Sequence, residues 1–382
     1  MNLTTGRKIW DLSRIADRVN TRLEHPDLFR YKGFWYCAIQ ESETHNQHPS
    51  TRGRVIRSAD GVQWDSVELF TWDGGAAVMG GLCQTAAGRL MAGTSVYFVS
   101  RKPRFDQYRK GKQDEKSYTP PEARQAHDQP GSYYQLDWID TVLNLPYDDL
   151  EKNVTIQTGA RFTDDGVHWS SNYANDTGIN TQRYFGTWHN GMGYAVGQHG
   201  KDSAGALYRT RDGITWQELL KPFSPDGRSN ETALAFGDDD TGYALIRGPG
   251  TNGAMLGIGK APYYQQWTWS EPTVIYGDEH PNLPASQALR YGLGGPRLLR
   301  LKDGRLIAAG RALGPGRDDG HASLFLVDPK QNTMTLFAEF AGTSYPAVVE
   351  HDGALHVTFV SNKCHQNVWE IHLATVPLPE QS

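Results

Sequence analysis

Six copies of a small Gly-containing turn leading into an alternating apolar strand, together with three copies of a Ser/Thr-x-Asp-Gly-x-x-Trp turn, predict an all-β chain folded as a six-bladed β-propeller. Composition agrees: 41 Gly, 20 Pro, 11 Trp and 18 Tyr in 382 residues suit many short strands joined by tight turns, and 38% hydrophobic residues is low for a helical enzyme. All-β folds of this length are routinely single domains, so residues 1–382 are expected to form one propeller.

The six turns are centred on Gly33, Gly88, Gly191, Gly242, Gly304 and Gly353. Successive glycines lie roughly 50 to 60 residues apart, the length of a four-stranded blade, except for one gap of about a hundred. That gap is read as an insertion at 97–158 in the second blade, because the turn-strand pattern lapses there in favour of Arg101-Lys102-Pro103-Arg104, Pro120-Pro121 and Tyr133-Tyr134. The expectation is that the insertion covers the channel mouth, in its own subunit or in a neighbour, which leaves a homo-oligomer open.

The second pattern comprises Ser58-Ala59-Asp60-Gly61-Val62-Gln63-Trp64, Thr163-Asp164-Asp165-Gly166-Val167-His168-Trp169 and Thr210-Arg211-Asp212-Gly213-Ile214-Thr215-Trp216. Asp-Gly supplies the positive φ of a tight turn, the hydroxyl and carboxylate bond backbone N–H groups, and Trp covers the apolar side. Ring closure is expected from Arg7-Lys8-Ile9-Trp10-Asp11-Leu12 pairing as an outer strand with Val368–Ala374, since an open ring would leave sheet edges unpaired.

A net charge of −5 with no long basic run argues against a nucleic-acid partner. No segment has the length and apolarity of a bilayer span, and Met1–Lys8 lacks the apolar core of an export signal, so no membrane partner is expected. The compartment is read as cytoplasmic, or periplasmic or secreted if a signal precedes these residues. Cys37, Cys83 and Cys364 lack metal-ligand spacing and read as buried free thiols. His45 and His48 have no third ligand at a recognisable spacing, and Asp238-Asp239-Asp240 reads as a solvated turn, so neither a catalytic metal nor a cofactor is expected.

The Ser/Thr-x-Asp-Gly-x-x-Trp turns resemble the Asp-boxes, or BNR repeats, of the sialidase (neuraminidase) superfamily. Ser229-Asn230-Glu231-Thr232, Ala244–Arg247, Gly295–Leu298 and Thr343-Ser344-Tyr345-Pro346 resemble consecutive segments of its bacterial members. The resemblance implies a carbohydrate-active enzyme: an exo-acting glycoside hydrolase removing a terminal acidic or polar sugar from an oligosaccharide or polysaccharide. It also implies that Tyr345 is the nucleophile, that Glu231 is its base, and that Arg247, Arg311, Arg317 and Arg297 are candidates for binding a carboxylate. The chemistry is reasonable, because a guanidinium fork grips a carboxylate through two charge-assisted bonds and a phenol needs an adjacent base to attack.

Two departures separate the chain from that pattern. Where sialidases place Arg-Ile-Pro, this chain has Glu24-His25-Pro26, and the segment expected to carry an acid/base Asp reads Glu41–Arg52 with none. Glu43, His45 and His48 are the proton donors available there. The histidines sustain a second reading, a polysaccharide lyase acting beside a uronic acid, with Arg183, Tyr184 and His189 joining the substrate site. A third reading is a non-catalytic glycan-binding propeller with Trp72, Trp188 and Tyr133-Tyr134 as platforms.

Overall fold

The computed structural model describes residues 3–14, 22–43, 50–72, 76–97, 156–199, 203–225, 231–247, 254–262, 264–276, 286–288, 293–314, 317–361 and 368–380. It is an all-β molecule of six sheets arranged radially as a propeller. Written from the centre outward, blade 1 is Arg22–Tyr31, Phe34–Ser42, Arg52–Ser58 and Asp65–Phe70; blade 2 is Ala76–Gln84, Leu90–Tyr97, Ile156–Thr163 and Tyr173–Ile179. Blade 3 is Thr181–His189, Met192–His199, Ser203–Thr210 and Trp216–Leu220, and blade 4 is Thr232–Phe236, Gly242–Ile246, Met255–Gly259 and Trp267–Ser270. Blade 5 runs Leu293–Arg300, Leu306–Gly314, Arg317–Asp328 and Thr333–Glu339, extended by the short strands Thr273–Ile275 and Ser286–Ala288.

Blade 6 contains Gly342–His351, Ala354–Ser361 and Glu370–Pro377, and its outer strand is the N-terminal segment Arg7–Asp11. Arg7 pairs with Leu373 and Asp11 with Glu370, so the two ends of the chain close the ring as expected. Ile9 and Trp10 from that strand are buried with Trp35, Trp64, Val360 and Ile371 between blades 6 and 1. Comparable apolar layers lie between the other neighbouring blades, so the core is a set of radial wedges rather than one central mass.

Inner strands run outward from one end of the ring, which fixes where each kind of connection falls. The tight turns joining inner to second strands lie at the far end and use left-handed pairs such as Lys32-Gly33, Asn190-Gly191 and Asp352-Gly353, suited to the twist of a hairpin. In blade 4 the left-handed residue is Asp240 rather than Gly242, which instead begins the second strand. Connections between second and third strands emerge at the opposite end. Tyr97 and Ile156 are ladder partners within blade 2, and residues 98–155 of the expected insertion lie outside the described residues; Tyr97 and 156–158 belong to the blade itself.

The three Asp-Gly turns also lie at the far end, with nearly superimposable bonding. Ser58, Thr163 and Thr210 hydroxyls accept from the N–H of Gly61, Gly166 and Gly213 at 2.8, 2.8 and 2.9 Å. Asp60, Asp165 and Asp212 each accept from the N–H groups two and three residues on, at 2.8–2.9 Å. Each turn docks on the preceding blade: a Cβ added to Gly61 would reach Leu373, one on Gly166 would collide with Tyr36 Oη, and one on Gly213 would meet Met91 Sδ at 2.5 Å. Cys37 and Cys83 are buried free thiols, and burial pushes the Cys83 thiol up to about 12; Cys364 lies outside the described residues.

Gly166→Ala should therefore destabilise the fold by about 2 kcal/mol, combining a disfavoured φ with overpacking against Tyr36, read as a lower midpoint in chemical denaturation. Acid should weaken the same turns. Backbone N–H donors hold the Asp60 carboxyl below its ordinary value, and for Asp165 and Asp212 partial burial opposes the shift but the turn's hydrogen bonds outweigh it. A carboxylate depressed in the folded state stabilises above its unfolded value near 3.8 and loses that contribution as pH falls toward the folded value. The stability gap between the wild type and Asp212→Asn should accordingly shrink between pH 6 and pH 3.

Candidate active site

The inner strands do not run straight into the centre. Pairing with the second strand slips between Glu24 and Asp27, Met79 and Leu82, Arg183 and Gly186, Gly294 and Arg297, and Thr343 and Ala347. In each case the inner strand carries more residues than its neighbour, a bulge that bends the strand and re-aims its side chains. Three of these bulges contain a proline: Pro26, Pro296 and Pro346. Proline brings no N–H to the ladder and bars the preceding residue from helical backbone, so His25, Gly295 and Tyr345 take the irregular positions. His25 and Gly295 adopt φ of 52° and 58°.

Blade 4 contributes differently. Its inner strand is paired without a slip from Thr232 to Phe236, and Glu231 sits at its entrance, its carbonyl accepting from Arg247 N at 2.9 Å. Glu231 is only 4% exposed. Tyr345 Oη donates to its Oε1 at 2.5 Å, Gly295 N donates to Oε2 at 2.7 Å, and Arg247 Nη1 lies 3.1 Å from Oε2. Residues from blades 4, 5 and 6 thus converge on one carboxylate. Burial alone would lower the Arg247 guanidinium, but Glu231 and Tyr345 raise it above its ordinary value, so the cation is firmly held.

Tyr345 is confined by its neighbours. A Cβ on Gly295 would overlap its ring, and His25 from blade 1 packs edge-on against it with centroids 4.1 Å apart at 82°. His25 is in turn oriented by Gln40 of the second strand, whose Oε1 lies 3.0 Å from His25 Nδ1.

A second ion pair spans the axis beside this group. Arg297 of blade 5 binds Asp27 Oδ1 of blade 1 through Nε and Nη2 at 3.1 and 2.8 Å, while Asp27 Oδ2 accepts from Leu82 N of blade 2 at 2.5 Å. Burial pushes the Arg297 guanidinium down, and Asp27 opposes that shift. Asp27 and Arg297 are the members of their strands nearest the site among those lining the central channel, a cavity of about 480 Å³ that continues past Leu82, Trp188 and Val348. Arg311, opposite Gly294 in register, lies against that strand: a Cβ on Gly294 would be 3.2 Å from its Nε. Among the described residues no carboxylate pairs with Arg311.

The expected residues divide accordingly. Glu231, Tyr345, Arg247, Arg297 and Arg311 are brought to one place. Glu43 is exposed just beyond the second strand of blade 1, at the same end, whereas its neighbour Glu41 is buried and engaged by Arg52 and Arg54. His45 and His48 lie outside the described residues, as do the side chains of Arg317 and Tyr184.

Arg183 and His189 are not brought together. Arg183 lies near the start of the inner strand of blade 3, Thr181–His189, and His189 ends it, a separation of about 20 Å along an extended chain. Arg183 is buried over Tyr208 and Trp216, at 4.3 and 5.0 Å from their rings, bonds Thr177 O at 2.9 Å, and is pushed down to about 10 by that burial. His189 stands at the far end, 2.6 Å from Asp240 and stacked on Phe236. Sequence reasoning overlooked His25 as a neighbour of Tyr345, and Asp27 and Gln40 altogether. The signal that could have found them is the recurrence of proline near the start of inner strands, as in His25-Pro26-Asp27, Gly295-Pro296-Arg297 and Tyr345-Pro346-Ala347.

No protein-family model and no curated protein sequence matches the chain. Solved structures do resemble it. A protein of unknown function from Dyadobacter fermentans superposes with a TM-score of 0.66 at 13% identity, covering 99% of each chain. The α-L-arabinofuranosidase of Fusarium graminearum, solved with arabinobiose, superposes at 0.60 with 10% identity over 98% of each chain. Trypanosoma rangeli sialidase, solved with sialic acid, superposes at 0.57 with 12% identity over 98% of this chain and 57% of that one. The fold is that of the sialidase-like propellers.

Proposed function

We propose that the protein is a glycoside hydrolase of the sialidase type that removes a terminal anionic or polar sugar, with Tyr345 as nucleophile and Glu231 as its base. The observation that carries this reading is the 2.5 Å bond between Tyr345 Oη and a buried carboxylate flanked by Arg247. As the phenol oxygen attacks the anomeric carbon, Glu231 takes its proton and the bond to the leaving oxygen breaks; water then releases the sugar from Tyr345. Arg247 pairs with the resting Glu231 carboxylate, whose negative charge is neutralised when it takes the phenol proton; that proton returns to Tyr345 as water releases the sugar. Glu43 is assigned as the donor to the leaving oxygen, since Glu41 is committed to two arginines.

Charge balance favours an anionic sugar. Among the described residues, Glu231 pairs with Arg247 and Asp27 with Arg297, whereas no carboxylate pairs with Arg311, which supplies a fork for one. Arginines so placed would also orient a neutral furanoside through its hydroxyls, and the related folds in complex with arabinobiose and sialic acid motivate trying both. The elimination reading has less support, because Arg183 and His189 occupy opposite ends of blade 3.

Hydrolysis of aryl α-sialosides and aryl α-L-arabinofuranosides, followed by aglycone release, tests the reading. Tyr345→Phe and Glu231→Gln should each lower kcat by about a hundredfold or more while the folded protein retains sugar binding. Binding without turnover by the wild type across such a panel would replace the hydrolase with a glycan-binding role. Arg311→Ala should raise KM for the sialoside by about tenfold or more and KM for the neutral furanoside by less than about threefold, since a bond to a hydroxyl is weaker than a charge-assisted fork; equal effects on both would remove the carboxylate assignment.

A further inference from the structure

His25 occupies an unusual position for a side chain with no assigned task. It holds a left-handed backbone that non-glycine residues rarely adopt, at a bulge immediately before Pro26. Strain of that kind persists where surrounding structure enforces it, and here the enforcement is specific. Gln40, itself fully buried on the adjacent strand, meets His25 Nδ1 at 3.0 Å and fixes the plane of the ring. The ring is thereby presented at right angles to Tyr345, 4.1 Å between centroids. Another part of the Tyr345 ring is blocked by the backbone of Gly295, where even a methyl group would not fit.

The geometry points to His25 as a positioning residue: with Gly295 it clamps the Tyr345 ring so that the phenol oxygen is held on Glu231. The inference rests on the assignment of Tyr345 as nucleophile and adds how that nucleophile is aimed. A phenol turns about its ring axis, which leaves Oη in place but rotates the plane in which its O–H prefers to lie, and swings about its first side-chain torsion, which carries Oη away from Glu231 Oε1. The clamp removes that freedom before substrate arrives, which is the physical content of preorganisation. It also gives blade 1 a part in aiming a pair whose members, Glu231 and Tyr345, come from blades 4 and 6. Gln40 acts through His25, and His25 acts through Tyr345; neither needs to touch the sugar.

The test combines kinetics with a reporter that does not require turnover. With whichever aryl glycoside the wild type hydrolyses, His25→Ala should lower kcat by about a hundredfold with KM changed by less than about threefold, because misaimed nucleophiles lose rate rather than affinity. His25→Phe, which keeps an aromatic ring against Tyr345, should recover most of the loss. Independently, 3-fluorotyrosine placed at position 345 should give two distinct fluorine resonances in the otherwise unaltered protein, one for each orientation of a ring that flips slowly. In His25→Ala those resonances should merge into one averaged line, and in Gln40→Leu, the milder variant if His25→Ala folds poorly, they should broaden. Unchanged fluorine spectra in both variants would overturn the clamp whatever the activity. Merged lines with kcat intact would overturn its role in aiming the nucleophile, and absence of turnover in the wild type would count against the hydrolase while the fluorine result still decides the clamp.

Discussion

Closure of the ring by Arg7–Asp11 against Glu370–Pro377 is the constraint on which the rest depends. Most of the buried apolar surface lies between neighbouring sheets, with only a small cluster of Ala195, Ala206, Tyr208 and Trp216 inside blade 3, so stability rests on the filled interfaces around the ring. Trp10 and Ile9 complete the wedge between the last blade and the first, and without them Trp35 and Trp64 would face water. The closed ring in turn sets the spacing of the inner strands, and that spacing lets side chains from blades far apart in sequence share one carboxylate.

The site is built from departures from regular strand geometry rather than from additional elements. Five of the six inner strands are regular where they pack and slip where they approach the site, and three of those slips contain a proline. Electrostatics then hold the result in place. Glu231 is satisfied by a phenol, a backbone N–H and a guanidinium, and Asp27 by a guanidinium and a backbone N–H, so both buried carboxylates are fully engaged. Arg311 remains on the same side without a carboxylate of its own among the described residues, and its charge is available to a ligand.

Much of the architecture was legible from the sequence because the features that specify it are local. A Gly-containing turn, an Asp-Gly hairpin and a following Trp report their conformation within a few residues, and the turns at Ser58, Thr163 and Thr210 have the bonding that their residues imply. Glu231, Arg247 and Tyr345 were legible through resemblance of short segments. Asp27 and His25 as partners were not, because their significance arises from contacts with Arg297 and Tyr345, about 270 and 320 residues away, which no local pattern encodes. Arg183 and His189 show the opposite case: they are close in sequence, but an extended strand carries residues six apart toward opposite ends of a blade.

The molecule assigns different duties to its two ends. Tight hairpins and Asp-Gly turns occupy one end, each wedged against the adjacent blade, and there a single added carbon at Gly166 or Gly213 has nowhere to go. At the other end the chain departs from Tyr97 and returns at Ile156, two positions already held side by side by the ladder. Because the cost of closing a loop rises only with the logarithm of its length once its anchors are fixed, that end can accept long stretches of chain at little thermodynamic penalty. The turns that wedge the blades together and the candidate site therefore lie on opposite faces, and what surrounds the site can diversify while the ring beneath it stays the same.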